Sequence, residues 1–346
     1  MNTFGISLRL TTFGESHGIA IGGVLDGMPP NLEIDFEKIQ TLIQRRKGGE
    51  NTYVTPRSEE DKVEFLSGIF EGKTTGSPIA FIIHNHNTQS KDYQRDILRP
   101  SHADFTYFHK YKHYDYRGGG RSSARETLVR VVASGLISPI LQGIEVQSGI
   151  YSIGKVKAKQ IDFSYAQTSE IFSLDPQMED SQKALIQEIR SQGDSIGGVV
   201  WAKAKGSKLL GLGEPIYGKL DAKLAEAMMG INGVKAVEIG EGIESSYMKG
   251  SEYNDCITPQ GFKSNHSGGI LGGIGNGDEI LIKVYFKPTA SISLPQNSIT
   301  TSNQAITLQI KGRHDPCIAI RGSVVVEAMM RLVIADMILL AKKDFC

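Results

Sequence analysis

The chain has 346 residues, with 38 Lys and Arg against 38 Asp and Glu, so its formal net charge at pH 7 is zero. This balance excludes the strong positive field of a nucleic-acid-binding or membrane-surface protein, and we expect a small anionic partner instead. Hydrophobic residues make up 40% of the chain and charged residues 22%, a globular composition that can form one large domain or two of ordinary size.

Targeting and redox signals favour a cytoplasmic protein. The N-terminus lacks a basic stretch followed by a long apolar run, so we predict no signal peptide. The apolar stretch 323–341 is interrupted by Glu327, Arg331 and Asp336, which predicts a packed helix rather than a membrane span. The cysteines lie far apart without CxxC spacing, a pattern typical of a reducing compartment and not of a disulfide framework or a zinc cluster.

Hydrophobic periodicity predicts mixed strands and helices. The predicted strands lie over residues 6–12, within 14–30, near 63–70 and 78–84, around 145–157, and over 199–204 and 283–293. The predicted helices run from Asp35, as N-cap, to 45–49, from Ser123 to about 142, over 180–191, from Asp221, as N-cap, to 231, and over 323–341. The polar segment 84–100 predicts a long mobile loop. Since no linker, low-complexity tract or convincing repeat divides the chain, we predict one domain over 1–346.

The stretch from Arg99 to Arg130 carries seven Lys or Arg against three acids, so positive charge is concentrated there in an otherwise neutral chain. Within it, Gly118–Gly120 lack Cβ atoms and allow a sharp turn and a close approach of a ligand to the backbone. Ser123 and Glu126 have the spacing of a capping box that begins a helix. Free N–H groups at such a helix start, with three arginines around them, predict an anion-binding site.

Further candidate groups lie outside this stretch. The basic run 45–47 forms a second cationic cluster at the end of a predicted helix, and arginines bind phosphate or carboxylate through paired N–H donors. Ser16 and His17 lie at a predicted exposed bend, where side chains are free to meet a ligand. His17 and His102 can carry protons near neutral pH. Asp315 can act as a base or hold a neighbouring cation.

Several familiar motifs are absent or incomplete. The segment GEPIYGKL (213–220) resembles a nucleotide-binding P-loop but ends in Leu220, which has no hydroxyl for magnesium. No GxGxxG occurs, so a Rossmann dinucleotide site is not supported. The histidine pairs at 84/86 and 109/113 could bind a metal, but they lack the Glu of HExxH, and we predict no metal site.

A series of segments resembles, in the right order, the signatures of the chorismate synthase family. They are GESHGIAIGGVLDGMP (14–29), RPSHAD (99–104), YRGGGRSSARET (116–127), INGVKAVEIG (231–240), SNHSGGILGGI (264–274), KPTAS (287–291) and GRHDPC (312–317). Because these segments span nearly the whole chain, it is identified as a member of that family. The resemblance implies an α+β fold, a single-domain β-α-β sandwich with helices packed between two antiparallel sheets, assembled as a homotetramer.

The resemblance also implies a lyase of the shikimate pathway and aromatic amino acid biosynthesis. 5-Enolpyruvylshikimate 3-phosphate loses phosphate and a C6 hydrogen in a trans-1,4 elimination that gives chorismate. Reduced FMN is required although the reaction has no net redox change, since the flavin lends an electron as phosphate departs and recovers it as the hydrogen leaves. NADPH or an external flavin reductase would supply the reduced cofactor. Two carboxylates and a phosphate on one substrate match the arginine clusters.

Matched position by position, the resemblance implies roles for individual residues. The implied catalytic residues, with the serines as orienting groups and the aspartate handling a proton at the flavin N5, are His17, His102, Asp315, Ser16 and Ser123. The implied substrate-binding residues are Arg46, Arg99, Ala124, Arg125 and Arg313. The implied flavin-binding residues are Arg121, Ser122, Ser123, Asn232, Gly233, Gly272, Lys287, Pro288, Thr289, Ala290, Ser291 and Arg313. Two positions depart from many members, which have glycine and arginine where this chain has Ser101 and Thr52.

Two other functions remain open on the residues alone. The first is a metal-free phosphatase or phosphoryl-transfer enzyme, in which His17 or His102 is the nucleophile and arginines hold the phosphate. It predicts phosphate release without flavin. The second is a flavin-storage or anion-binding protein without catalysis, in which loss of either histidine leaves ligand affinity and function unchanged.

Overall fold

The computed structural model describes residues 1–47, 53–54, 60–86, 93–310 and 315–341. The α-helices of these ranges are α1 (Phe36–Lys47), α2 (Asp104–Tyr111), α3 (Thr127–Leu136), α4 (Phe163–Ala166), α5 (Glu179–Ser191), α6 (Leu220–Met229), α7 (Gly250–Tyr253) and α8 (Ala319–Ala341). The strands are β1 (Thr3–Phe4), β2 (Arg9–Gly14), β3 (Ala20–Asp26), β4 (Val63–Phe65), β5 (Ile69–Phe70), β6 (Lys73–Thr74), β7 (Ile79–His84), β8 (Ile97–Leu98), β9 (Glu145–Ile153), β10 (Val156–Lys157), β11 (Gly198–Lys205), β12 (Val234–Ile239), β13 (Ile257–Thr258), β14 (Gly261–Phe262), β15 (Ile270–Leu271), β16 (Ile274–Gly275), β17 (Ile280–Phe286), β18 (Gln296–Thr300) and β19 (Ala305–Leu308).

The first large sheet has the antiparallel order β1-β2-β3-β7-β4. Its register pairs Gly14 with Ile21 and Ala20 with His84. The turn between β2 and β3 therefore emerges at the same end of the sheet as the residues that follow β7. This register places the segment containing Ser16 and His17 beside Asn85.

The second large sheet has the antiparallel order β10-β9-β11-β17-β12. Along β11 and β17 every second residue is buried, which is the period expected when one face of a sheet packs against other elements. Val200 and Val284, which are paired across these strands, are both fully buried. That face of the sheet contributes to the core.

Helices fill the space between the two sheets. Helix α3 contacts β3 of the first sheet as well as α1 and α8, while α8 contacts β9, β11 and β17 of the second sheet. One hydrophobic cluster includes Phe81 of the first sheet, Val132 of α3, Met330 of α8 and Val200 of the second sheet. The predicted α+β class, with helices packed between two antiparallel sheets, is confirmed.

Glu327, Arg331 and Asp336 of α8 are buried with protein partners. Arg45 forms an ion pair with Glu327 (3.2 Å), and Arg331 donates to the carbonyl oxygen of Ser134. Asp336 accepts three backbone N–H bonds from residues 6–8, at 2.8–2.9 Å, and so fixes the N-terminal segment to α8. Among the residues that the structure describes, no helix is long and apolar enough to cross a membrane.

Three predicted helix boundaries were wrong. Helix α3 ends at Leu136 rather than near 142, because Pro139 lacks an N–H and disfavours the helical conformation of Ser138. Helix α8 begins at Ala319 instead of 323. Asp221 lies in the first turn of α6 and forms an ion pair with Lys219, which is the N-cap residue.

Two further local predictions need correction. The capping box of Ser123 and Glu126 does not form: Ser123 Oγ accepts from the Arg125 backbone N–H (3.3 Å), and the Glu126 carboxylate pairs with Arg121. In the predicted loop 84–100, residues 87–92 lie outside the described ranges, and residues 97–98 form β8, which pairs with β18. The predicted strand at 6–12 is observed at 9–14, and the helix N-cap at Asp35 is confirmed by its bond from the Lys38 N–H (2.8 Å).

Candidate active site

A left-handed turn of three glycines brings the two predicted catalytic histidines together. Gly118, Gly119 and Gly120 have φ angles of 60°, 90° and 52°, a conformation that residues with a Cβ rarely adopt. A Cβ on Gly118 would lie 2.5 Å from His17 Nε2, and a Cβ on Gly119 would lie 2.6 Å from His102 Cε1. Both imidazole rings therefore lie directly against the backbone of successive glycines.

The turn that carries Ser16 and His17 is buried, so the prediction of an exposed bend was wrong. The two residues are 1% and 8% exposed, and Ser16 Oγ would lie 2.8 Å from a Cβ on Gly118. Asn85 Nδ2 donates to the carbonyl oxygens of Glu15 (3.1 Å) and Gly18 (2.9 Å). This pair of bonds fixes the turn against the end of β7.

His102 belongs to a buried charged array with Arg99 and Asp104. Arg99 donates from Nε and NH2 to the two Asp104 oxygens, at 2.6 and 2.8 Å, and His102 Nδ1 lies 3.1 Å from Asp104 Oδ1. The ring of Tyr93 lies under the Arg99 guanidinium (5.1 Å) and meets the His17 ring edge-on (5.1 Å between centroids). Tyr93 thus links the two histidine groups.

One of the predicted substrate-binding arginines, Arg46, bonds to the segment around Ala124. Arg46 is 2% exposed and donates to the Ala124 carbonyl oxygen (2.8 Å) and to Thr127 Oγ1 (3.1 Å). Burial, together with the charges of Arg321 and Arg125, holds the pKa of Arg46 well below its usual range. This part of the site has a surplus of positive charge that a bound anion would offset.

Two of the arginines hold buried carboxylates. Arg125 forms an ion pair with Asp61 at 2.5 Å, and its Nε donates to Asn85 Oδ1 (3.0 Å). Arg121 pairs with Glu126, also at 2.5 Å. Burial raises the pKa of Glu126 to about 7, although the positive charge of Arg121 opposes this shift.

A second group of predicted residues is joined to the turn by hydrogen bonds. Asn232 Nδ2 donates to the Ser122 carbonyl oxygen (2.7 Å), and the Lys287 backbone N–H donates to the Gly233 carbonyl oxygen (2.9 Å). Lys287 Nζ donates to the Ser101 carbonyl oxygen (2.6 Å), one residue before His102. Burial, with the nearby charge of Lys235, lowers the pKa of Lys287.

Asp315 is linked to Arg46 through Arg321. Its Oδ2 pairs with Arg321 NH1 at 3.0 Å, and Arg321 Nε donates to the Arg46 carbonyl oxygen (3.2 Å). A small cavity lies between these groups, lined by Arg46, Ala124, Thr127, Asn232, Asp315 and Arg321 among others. A larger cavity of about 510 Å³ lies between the N-terminal segment, α6 and α8, and shares only Arg121 with the predicted site residues of the described ranges.

Some predicted residues are not joined to this cluster by the described contacts. Arg313 lies outside the described ranges. Gly272 has a φ of 60° and no atom within 4 Å of a Cβ position, which leaves open space there. Thr289 is bonded through its carbonyl oxygen to Ser195 Oγ (2.8 Å). For Pro288, Ala290 and Ser291, the described part of the chain shows no hydrogen bond to the histidine cluster.

Buried polar atoms without partners mark places where a bound molecule fits. Within the described ranges, Ser16 Oγ, Asn232 Oδ1 and Thr289 Oγ1 are buried and have no hydrogen-bond partner. A buried polar atom without a partner is costly, so such atoms are normally satisfied by a ligand or by water. All three belong to residues predicted for catalysis or flavin binding. The residues present therefore fit the flavin that the family resemblance implies.

Sequence reasoning missed several residues of the site. They are Asp61, Asn85, Tyr93, Asp104 and Arg321. Asp104 lies inside the RPSHAD segment, so an acid two residues after a histidine was the available signal. Asp61 and Asn85 meet Arg125 from positions 64 and 40 residues away, and no local pattern marks such long-range pairs.

Comparisons with known proteins agree over the full length. Residues 8–339 match the family model described as chorismate synthase. Proteins named chorismate synthase from Helicobacter pylori strain J99 and Sulfurovum sp. strain NBC37-1 are each 57% identical over 349 and 344 residues, and the match covers 98% of this chain and 96% of theirs. The protein of that name from Campylobacter lari strain RM2100 is 53% identical over 346 residues, with 98% and 95% covered.

A solved structure described as the crystal structure of chorismate synthase has a TM-score of 0.77 and 31% sequence identity, and the match covers 98% of this chain and 93% of that one. None of these comparisons supports the metal-free phosphatase. The chain therefore belongs to the chorismate synthase family, lyases of the shikimate pathway that use reduced FMN to convert 5-enolpyruvylshikimate 3-phosphate into chorismate.

Proposed function

We propose that this chain carries out the chorismate synthase elimination with His17 and His102 as its proton-transferring groups. The observation that carries this proposal is the glycine turn, which places the two imidazole rings against successive residues. Histidine is the side chain best suited to hold and transfer protons near neutral pH. His102 would support protonation of the leaving phosphate and His17 protonation at the cofactor, with Ser16 and Ser123 as orienting groups.

The substrate would be held by Arg46, Arg99, Arg125 and the Ala124 backbone. Arginines that are already fixed by Asp104 and Asp61 need no reorganisation when the negative charge of the leaving phosphate develops. The depressed pKa of Arg46 supports an anion at this position, because a bound carboxylate or phosphate would neutralise its buried charge. Arg313 remains a proposed contact outside the described ranges.

The cofactor would be held by residues on both sides of the turn: Arg121, Ser122, Ser123, Asn232, Gly233, Gly272, Arg313 and the segment 287–291. Reduced FMN, when bound, supplies an electron to the substrate transiently. The partnerless Asn232 Oδ1 and Thr289 Oγ1 support this placement, since a flavin offers donors and acceptors for both. Asp315, whose carboxylate is oriented by Arg321, would take up the proton released near the flavin.

We further propose a cytoplasmic homotetramer. The tetramer is supported by large apolar side chains that are strongly exposed in the single chain and that subunit contacts would bury. They are Leu210, Ile216, Tyr217, Tyr247 and Ile257. Analytical ultracentrifugation tests the tetramer, and the double variant Ile216→Asp, Tyr217→Asp tests whether these two exposed side chains lie between subunits.

The proposed cytoplasmic location is supported by the free thiols of Cys256 and Cys317, which suit a reducing compartment. Cell fractionation would check it.

The decisive experiment is an anaerobic assay with 5-enolpyruvylshikimate 3-phosphate and chemically reduced FMN, in which chorismate and phosphate are followed together. We expect equal amounts of both products, and only with reduced flavin. A repeat with oxidised FMN and NADPH distinguishes the two sources of reducing equivalents, since turnover there means that the chain reduces its own cofactor. Phosphate release without flavin would instead favour a phosphatase.

The histidine roles predict the behaviour of two variants. His17→Ala and His102→Ala should each lower kcat by ~10²-fold or more while the KM for substrate changes little, because a positioned acid or base is lost and the arginines remain. His109→Ala is the matched control, since His109 is exposed on α2 and should tolerate the change. Equal losses in kcat for all three variants would contradict these roles.

A further inference from the structure

Asp104 is a buried carboxylate to which the motifs and the family resemblance give no role. It is the first residue of α2, two residues after His102, and is 4% exposed. Four nitrogen atoms lie within hydrogen-bond distance of its two oxygens. Three of them come from Arg99: the backbone N–H (3.1 Å) and Nε (2.6 Å) meet Oδ2, and NH2 (2.8 Å) meets Oδ1.

These contacts determine the protonation of the pair. An arginine N–H can donate but cannot accept, so both Asp104 oxygens act as acceptors and the carboxyl group is ionised. Burial raises the pKa of Asp104, but the hydrogen bonds from Arg99 and His102 outweigh it and hold that pKa well below its usual range. A carboxylate next to an imidazole nitrogen requires that nitrogen to carry the proton. His102 Nδ1, at 3.1 Å from Oδ1, is therefore the donor.

The ring orientation gives this protonation a consequence at the site. With the proton on Nδ1, Nε2 is the nitrogen that gains a proton when His102 becomes an imidazolium, the form that can protonate the leaving phosphate. The Cε1–Nε2 edge faces the glycine turn, since a Cβ on Gly119 would lie 2.6 Å from Cε1 and 3.0 Å from Nε2. The bond to Asp104 uses Nδ1, so Nε2 remains available on the side of the turn.

We propose that Asp104 is a positioning residue that fixes His102 as the Nδ1–H tautomer and holds Arg99 in the same array. The inference rests on the function proposed above, because it assigns Asp104 to act through His102. It assigns no contact between Asp104 and the substrate. To fix this tautomer, Asp104 needs the negative charge of its carboxylate and not only the shape of its side chain.

The first test is the tautomer of His102 in the wild-type holoenzyme. Magic-angle-spinning NMR of sedimented protein, labelled with ¹⁵N on the histidine rings, distinguishes a protonated from an unprotonated ring nitrogen. The His102 signals are assigned by difference from His102→Gln. At a pH where the ring is neutral we expect the proton on Nδ1. A proton on Nε2 would overturn the proposal without any need for an Asp104 variant.

The second test is Asp104→Asn, which keeps the shape and removes the charge. The amide NH2 can donate to Nδ1, so we expect the His102 proton to move to Nε2. Without the carboxylate charge the imidazolium is no longer stabilised, and kcat should fall by ~10²-fold, the scale of losing a positioned acid or base. Asp175→Asn is the control. Asp175 is fully buried and accepts backbone N–H bonds from Lys159, Gln160 and Gln177.

The outcomes separate this inference from the function on which it rests. Asp175→Asn should lower the melting temperature and leave both the His102 tautomer and kcat unchanged. An Asp104→Asn protein that keeps the Nδ1 proton and turns over within ~2-fold of wild type would overturn the positioning role. If the tautomer moves in Asp104→Asn while His102→Ala retains turnover, the positioning of the ring is supported and the proposed role of His102 fails.

Discussion

Single atoms decide the geometry of this site, because two glycines stand where a methyl group would displace a histidine. At Gly119, the φ of 90° alone makes alanine unfavourable by ~1 to 2 kcal/mol. The Cβ would also lie 2.6 Å from His102 Cε1, so the ring must move. We therefore expect Gly119→Ala to lower kcat by ~10-fold or more, since a misplacement of about 1 Å can already reduce catalysis by ~10²-fold.

The control for this prediction is Gly143→Ala. Gly143 has a similar φ of 84°, but no atom lies within 4 Å of its Cβ position. Both variants should lose unfolding free energy in urea denaturation because of the positive φ, Gly119→Ala at least as much as Gly143→Ala, and only Gly119→Ala should lose activity in the anaerobic assay. A parallel loss of turnover in both would show that backbone strain, and not contact with His102, is responsible.

Glu126 predicts a pH dependence of stability. Its pKa is about 7 in the folded chain and about 4.5 when unfolded, so the folded state keeps a proton that the unfolded state releases between these values. Stability contributed by this group is therefore lost as pH rises from 4.5 to 7. Glu126→Gln removes the ionisation and therefore this loss. As pH rises over that range, the unfolding free energy of the variant should increase by ~3 kcal/mol relative to that of wild type.

Urea denaturation at pH 5 and pH 8 measures this shift. Glu145→Gln, at the exposed start of β9, should leave the pH dependence of the wild type unchanged. If Glu126→Gln showed the same slope as wild type, the Arg121 pair would be holding Glu126 ionised throughout, against the effect of its burial.

At the scale of elements, local chemistry predicted some boundaries and not others. The hydrophobic period located α1 and α5 closely, and the carboxylate of Asp35 was recognised as a cap. The end of α3 was predicted too late, although Pro139 is a helix-ending signal, because the apolar pattern continues beyond it. The capping box of Ser123 and Glu126 failed for a tertiary reason: Arg121 competes for the Glu126 side chain that the box would need.

The site shows the same limit. Glycines and arginines of the stretch around residue 120 predicted an anion site, and the matched motifs predicted which residues meet there. The partners that fix those groups could not be predicted, because Asp61 and Asn85 reach Arg125 only after β7 and the segment before β4 are in place. Three-dimensional proximity of this kind depends on strand register, which no local spacing encodes.

At the scale of the whole molecule, the two large sheets share one layer of helices. Helix α8 is buried along nearly its full length and contacts α1, α3 and α6 as well as strands of the second sheet. Removing support from one sheet should therefore weaken the other, as the prediction of one domain over 1–346 requires. A helix that is buried on nearly all sides is typical of such a central position.

Trp201, the one tryptophan of the sequence, reports on this coupling from β11, where it stacks on Tyr151 at 4.6 Å between ring centroids. Phe81→Ala removes a fully buried ring from the first sheet and should cost ~3 to 5 kcal/mol of unfolding free energy. In a single domain, the Trp201 fluorescence transition in urea shifts by the same amount as the circular dichroism transition. Phe70→Ala, 68% exposed in β5, should shift neither. A Trp201 transition that stays in place in Phe81→Ala would mean that the two sheets unfold as separate domains.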